Sequence, residues 1–279
     1  MTLEKLEKTE QLEMNKLLPF RVLNPDKAQD YYTLELYKPA ADLDYFVQLY
    51  WVMHWDLGDN QSFDAEVIPS AYTNFTCMPG GARITGVSTG LYRYTVQGSG
   101  VIFGIMFKPG GFHPFYNSNL SHITDTFIPA SRVFEQADDQ FNERVLSASD
   151  SFGLQMMMKL LTEKNPTHDS NVELVNSIIS RAQADASLSV AQLAQDFSMN
   201  QRTLQKLFSQ YVGVGLKWII LRDRLQKATL IAETNHNPKW VEIANELGYN
   251  DQAHFINDFK RITGVTPRQY ATFQLKAAA

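Results

Sequence analysis

One helix–turn–helix pattern occurs twice in the chain, and that duplication limits what its C-terminal part can fold into. In residues 241–267, VEIANELGYNDQAHFINDFKRITGVTP, Ile243, Ala244 and Leu247 are spaced to share one helical face. Gly248 breaks that helix, and Asp251 stands where a side-chain oxygen can cap the next one. Phe255, Phe259 and Ile262 then make a second buried stripe, stopped by Gly264 with Pro267 just beyond. The same plan appears earlier. Val190, Leu193, Ala194 and Phe197 form one face, residues 198–200 the turn, and Leu204, Leu207, Phe208 and Tyr211 the second face, ending at Gly213. Leu193 and Ala194 match Ile243 and Ala244 at an offset of 50, whereas Leu204, Phe208 and Gly213 match Phe255, Phe259 and Gly264 at 51. The extra residue falls in the turn, where insertions cost least. Between the copies, residues 216–234 predict one long helix that holds the two units apart, broken again at 235–238. Helix, tight turn and helix with a polar outer face is the plan of a DNA reader. A single copy would be weak evidence, because ordinary helical hairpins share it.

The net charge of −5 argues against a nucleic-acid binder until it is divided along the chain. Residues 170–279 hold 12 Lys+Arg against 9 Asp+Glu, a net of +3; the remaining 13 basic and 21 acidic residues put 1–169 at −8. An acidic module joined to one that tolerates phosphates fits this asymmetry. At 279 residues the chain is long enough for roughly two domains, with apolar content for cores that need no disulfide or metal staple. The single Cys77 cannot form an internal bridge, which fits a reducing cytoplasm. The N-terminus, MTLEKLEKTEQLEMNKLL, is too polar for a secretory signal, and no apolar run reaches the roughly 18 residues of a membrane span. A soluble, cytoplasmic chain is expected.

Residues 1–18 set leucines among alternating Glu and Lys and predict a leader helix. From 19 to about 129 the texture becomes short β-type runs between turn residues: TLELYKPA, YFVQLYWVMHW, AEVIPS, TNFTCM, RITGVSTG, YRYTVQG and GVIFGIMF. Residues 131–164 turn helical, with Leu154, Met157, Met158 and Leu161 in one stripe suited to packing within its own domain or to a dimer seam. NPTHDSN then reads as a linker. The expected fold class is therefore α+β with two domains. A small N-terminal β-barrel or sandwich of the cupin-like kind, with flanking helices, spans 19–165; after a linker at 166–172, an all-α double helix–turn–helix domain spans 173–275. Its units lie at about 190–212 and 241–263.

The aromatics of the β region either fill its core or partly line an apolar ligand cavity, for which Trp51, Trp55, Phe75, Tyr92 and Phe103 are the candidate effector-binding residues. His54, His113 and His122 raise a metal site, but no two share a strand face two residues apart, so none is predicted. No phosphate loop, nucleophile–base set or paired carboxylates stand out. KPGGFHPF at 108–115 lacks the Lys-Ser/Thr of a phosphate cradle. No catalytic residues or cofactor are expected. An enzyme reading would need Cys77 as nucleophile, yet it has no base or further thiol beside it.

Over about 100 residues the chain resembles the AraC/XylS family of bacterial transcriptional regulators. RTLQKLF (202–208), RLQKATLIA (224–232), IANELGY (243–249), DQAHFINDFKRITGVTP (251–267) and Tyr270 carry the resemblance. Gly215-Leu216 replaces the family's usual Ser/Thr-Pro, and Asn257 stands where many relatives have an arginine. The resemblance implies base or groove contacts from Gln201, Arg202, Gln205 and Lys206 in the first reader and from Gln252, Ala253, Ile256 and Asn257 in the second. The chemistry agrees: Arg or Lys engages guanine, Gln or Asn adenine, and an apolar side chain a thymine methyl. Lys217, Lys260 and Arg261 suit phosphates. The expected partners are double-stranded DNA, a small-molecule effector, RNA polymerase and a second copy of the chain. A constitutive DNA-binding protein whose β domain only dimerises is the other reading.

Overall fold

The computed structural model describes residues 3–7, 32–58, 61–67, 69–234, 238–249 and 251–277. Six strands lie side by side in the order β1 (Tyr32–Tyr37), β2 (Val47–Asp56), β7 (Ser99–Phe107), β4 (Asn74–Met78), β5 (Gly81–Thr85) and β8 (Phe127–Pro129). Every neighbouring pair is antiparallel. β3 (Ser62–Val67) and β6 (Tyr92–Gln97) form a separate two-stranded antiparallel ribbon.

Strand β2 shows how this sheet is filled, because its side chains alternate between faces. Leu49, Trp51, Met53 and Trp55 point into a core with Leu36, Ile102 and Met106, against which Phe63 and Tyr94 of the ribbon pack. Tyr50 and Val52 belong to the opposite core, where Phe75, Phe103, Ile105 and Phe107 meet the helical side. Three helices contribute there: α1 (His113–Tyr116), α2 (Asp139–Leu146) and α3 (Asp150–Lys164). Burial on both faces explains why the sequence of β2 is a nearly continuous apolar run. The indoles fit because β7 offers glycines opposite them. Trp51 pairs with Gly104 and Trp55 with Gly100, and a Cβ on Gly104 would stand 2.0 Å from the Trp51 ring.

Three expectations change here. The strands do not close into a barrel: β1 and β8 end the sheet, while β3 and β6 leave it to pair with each other. The space a barrel would enclose is instead taken by the tryptophans between sheet and ribbon. Second, residues 3–7 are extended and not helical. Lys5 bridges Tyr37 on the edge of β1 and Leu6 is buried, because an open sheet edge rewards backbone pairing more than Glu/Lys alternation rewards a helix. The rest of the predicted leader helix lies outside the described residues. Third, β8 was not foreseen, being three residues long and ending in proline. The stripe of Leu154, Met157, Met158 and Leu161 packs within the core on the helical side, with Phe75 and Phe103.

The second half is helical throughout: α4 (Ser170–Ala184), α5 (Val190–Asp196), α6 (Gln201–Tyr211), α7 (Leu216–Thr234), α8 (Trp240–Glu246), α9 (Gln252–Thr263) and α10 (Pro267–Ala277). Residues 165–169 join the halves, so the predicted linker overlaps the first turn of α4. The predicted break at 235–237 lies outside the described residues. Two cores form. Val175, Ile178, Leu193, Ala194, Leu204 and Phe208 make the first, and Leu225, Ala228, Ile243, Ala244, Phe255, Phe259 and Tyr270 the second.

The duplication extends to backbone detail. Ser198 and Gly248 both take positive φ, at 52° and 76°. The next amides, of Met199 and Tyr249, donate back to the carbonyls of Ala194 and Ala244 at 2.8 and 2.9 Å. The caps that follow, Asn200 and Asp251, are one residue out of step, which places the extra residue at position 250, outside the described residues. Serine in this left-handed conformation is strained where glycine is not. Ser198→Gly is therefore expected to stabilise the first unit by about 0.5–1 kcal/mol, and Gly248→Ser to destabilise the second by a similar amount. Urea midpoints of the two variants check both signs.

Candidate nucleic-acid interface

Helix α6 begins at Asn200, whose side-chain oxygen accepts from the Thr203 amide at 2.8 Å. That cap fixes the rotation of the helix. Leu204, Leu207, Phe208 and Tyr211 turn inward, which leaves Gln201, Arg202, Gln205 and Lys206 exposed together on the outer face. Helix α9 starts in the same way, with Asp251 accepting from the His254 amide at 2.7 Å. Phe255, Phe259 and Ile262 are buried, and Gln252, Ala253, Asn257, Lys260 and Arg261 are exposed. Ile256 is only half-exposed and packs against the second core. Lys217 is exposed in the first turn of α7.

The two faces differ electrostatically. Among the described residues Arg202, Lys206, Lys217 and Lys260 make no ion pair, so their charges are available to an anion. Arg261 donates to Asp258 Oδ1 at 2.8 Å, and the other oxygen of that carboxylate lies 3.2 Å from His254 Nε2. Asp258 therefore occupies the one guanidinium of α9. The guanidinium itself stays exposed and the i, i+3 geometry contributes only about 0.3–0.5 kcal/mol, so a phosphate can still compete for it. Sequence reasoning missed His254, an exposed ring on the first turn of α9. Its spacing of four from Asp258 was the available signal.

Helix α7 fixes the two readers relative to one another. It runs without interruption from the end of the first unit towards the second and packs on α4, α6, α8, α9 and α10. Its Arg222 is almost fully buried and paired with Asp223 at 3.0 Å, with a further bond to Gln226. The same guanidinium donates from Nε to the Pro69 carbonyl of the β domain at 3.0 Å.

The candidate effector residues are not brought together. Trp51 and Trp55 lie in the core beneath the ribbon, Phe75 and Phe103 in the opposite core, and Tyr92 is 44% exposed on the ribbon itself. The three histidines are also apart. His54 sits 2.9 Å from Asp150 at the start of α3, His113 stacks on Tyr211, and His122 is exposed. Cys77 is fully buried in β4, and burial pushes its thiol far above the ordinary range, which makes it a poor nucleophile. No helix among the described residues is long and apolar enough to cross a membrane.

Residues 193–272 match a family described as a helix-turn-helix domain, and residues 35–129 match a domain of unknown function, DUF6597. The chain is similar to the arabinose operon regulatory protein of Escherichia coli K12, 24% identical over 166 residues that cover 59% of this chain and 56% of that protein. It is also similar to the probable transcriptional regulator LumQ of Photobacterium leiognathi, 27% identical over 147 residues covering 52% and 57%. The chain thus spans about half the length of the curated relatives it matches. Among solved structures, the C-terminal domain of the two-component response regulator yesN from Fusobacterium nucleatum is 28% identical, with a TM-score of 0.34, covering 37% of this chain and 99% of that one.

Proposed function

Since the chain belongs to the AraC/XylS family of bacterial transcriptional regulators, we propose that it binds double-stranded DNA sequence-specifically through both readers and thereby regulates transcription. The observation that carries this reading is the exposed quartet Gln201, Arg202, Gln205 and Lys206, whose two cations make no ion pair among the described residues, on a helix whose other face is buried. A guanidinium and an amide in this setting can each make bidentate contacts to a base edge in the major groove. Lys217 and Lys260 take phosphates, which fix register without reading sequence. With Arg261 held by Asp258, α9 contributes mainly through Gln252 and Asn257 and is the weaker reader.

Because α7 sets the readers on one frame, the DNA site is bipartite and asymmetric for a single chain, its halves about 34 Å apart along one face. The β domain, an open sandwich of the cupin-like kind, is the part that senses a small effector or dimerises. It acts by favouring one arrangement of the two domains over another.

The test is operator affinity. On DNA selected from random sequence by the parent chain, Arg202→Ala is expected to bind more weakly by about 1–3 kcal/mol and to relax specificity at one base position. Fluorescence anisotropy at fixed salt measures the first, and repeat selection the second. Unchanged affinity and an unchanged motif would sink the assignment.

A further inference from the structure

The join between the two domains is clamped by one side chain of the β domain. Tyr45 stacks on His168 with ring centres 3.8 Å apart and planes 11° from parallel. Its hydroxyl donates to the Asp169 carbonyl at 2.8 Å and accepts from the Asp169 amide at 3.2 Å. The Asp169 carboxylate caps α4 by accepting from the Asn171 amide at 2.9 Å and accepts from the Tyr211 hydroxyl, in the last turn of α6, at 2.6 Å. Burial pushes that carboxyl up, but the Tyr211 and Asn171 hydrogen bonds outweigh it and hold the group below its ordinary range. Tyr211 in turn lies flat on His113 of α1, ring centres 4.0 Å apart. An unbroken run of contacts thus leads from Tyr45 to the first recognition helix.

Beside Tyr45 opens a cleft of about 430 Å³, within the range of small-molecule sites, which favour domain interfaces. Asp44, Tyr45 and Lys108 supply its wall on the β side; Val172, Glu173 and Asn176, from the first turns of α4, supply the other. Its chemistry is rich in acceptors. Lys108 lies 3.2 Å from Asp44 Oδ1, which leaves the second oxygen of that carboxylate, and the exposed carboxylate of Glu173, beside the Tyr45 hydroxyl, adds further acceptor positions for a ligand. The Asn176 amide nitrogen is committed to the carbonyls of Pro109 and Val172, so that side chain offers only its carbonyl oxygen. Two carboxylates and an amide oxygen against one ammonium that is already paired select a cation that donates hydrogen bonds.

We propose that this cleft binds a small molecule bearing a primary ammonium group, held by Asp44 and Glu173, and that its occupation stabilises the docked arrangement of the two domains. A ligand that touches both walls has its full set of contacts only while the walls face each other, so binding and docking are linked. The site itself does not depend on the DNA-binding reading. It gives the proposed effector a chemistry and a place.

Putrescine is a suitable probe for calorimetry on the full chain, with L-glutamate as the ligand of opposite charge. Putrescine is expected to bind one-to-one and L-glutamate not to bind. The Asp44→Asn/Glu173→Gln chain should lose affinity by about tenfold or more. A charge-matched pair on a distant surface, Glu135→Gln/Glu143→Gln, should bind as the parent does. Absence of putrescine binding, binding of glutamate instead, or equal losses in the two variant pairs would each overturn the site. Saturating putrescine should also slow amide exchange in 168–173 and in the last turn of α6; unchanged exchange with binding intact would overturn the link to docking. These measurements contain no DNA, and Arg202→Ala should bind putrescine normally, so this proposal and the operator proposal fail separately.

Discussion

Truncating Phe208 to alanine is expected to cost the first reader about 3–5 kcal/mol, the usual penalty for deleting a fully buried phenylalanine. The ring has no exposed surface and belongs to the core that joins α4, α5, α6 and α7 through Val175, Ile178, Leu193, Leu204 and Ile219. Removing it takes apolar surface out of contact and leaves a hole that helices fixed at both ends can close only in part. A two-domain chain need not unfold in one step, so amide exchange across residues 190–212 is the direct measurement. Protection there should fall steeply, while protection of α9, in the other core, should fall less. Operator binding should be lost as well, through unfolding and not through a missing contact. That separates this variant from Arg202→Ala, which should leave exchange unchanged. A cost below about 1 kcal/mol would mean that the first unit does not depend on its core in the way described.

The second large effect is expected at Gly104→Val. The residue pairs with Trp51 across the neighbouring strands β7 and β2, and the added Cβ would meet the indole at 2.0 Å, a contact that real Cβ atoms do not make. The indole cannot swing outward, because it is buried between sheet and ribbon among Leu36, Met53 and Met106. Overpacking of this kind costs about 1–3 kcal/mol, and the upper end applies because the clash falls on a rigid ring and not on the end of a flexible chain. Urea denaturation followed by circular dichroism measures the loss. The double variant Gly104→Val/Trp51→Ala makes the test specific. If the clash is the cause, its cost should be less than the sum of the two single costs by at least about 0.5 kcal/mol. Additive losses would mean that the glycine is needed for some reason other than space for the tryptophan.

The features legible in the sequence are those governed by near neighbours along the chain. Spacing of apolar residues by three and four placed both helix–turn–helix units, because an amphipathic helix writes its buried face into every turn. Short β-branched and aromatic runs between glycines marked the first seven strands for the same local reason, although the runs at 65–70 and 83–90 overlap β3 and β5 only in part. The outward quartet on α6 was legible too, since burying Leu204, Leu207 and Phe208 fixes what faces away. Where the strands go was not. That β3 leaves the main sheet for β6, that residues 3–7 pair with the edge of β1, and that the sheet stays open depend on pairings between residues far apart in sequence.

The same division runs through the functional surfaces. Asp258 takes up Arg261 and His254 by side-chain geometry, which a list of exposed cations does not reveal. The aromatics, which the sequence allowed either to fill a core or partly to line a cavity, are divided between two cores on opposite faces of the sheet because successive strand residues point in opposite directions. Arg222, which the sequence offers as one more basic residue of a helix, is buried against the Pro69 carbonyl. Tyr45 meets Asp169 across more than a hundred residues, and that contact forms the cleft between the domains. The sequence alone determined that the chain carries two helix–turn–helix units joined by one long helix, because each is built from contacts within a turn or two. Only the tertiary structure decided which charges pair among the described residues and how the β domain grips the first helix–turn–helix unit, because those contacts exist only once distant segments have packed together.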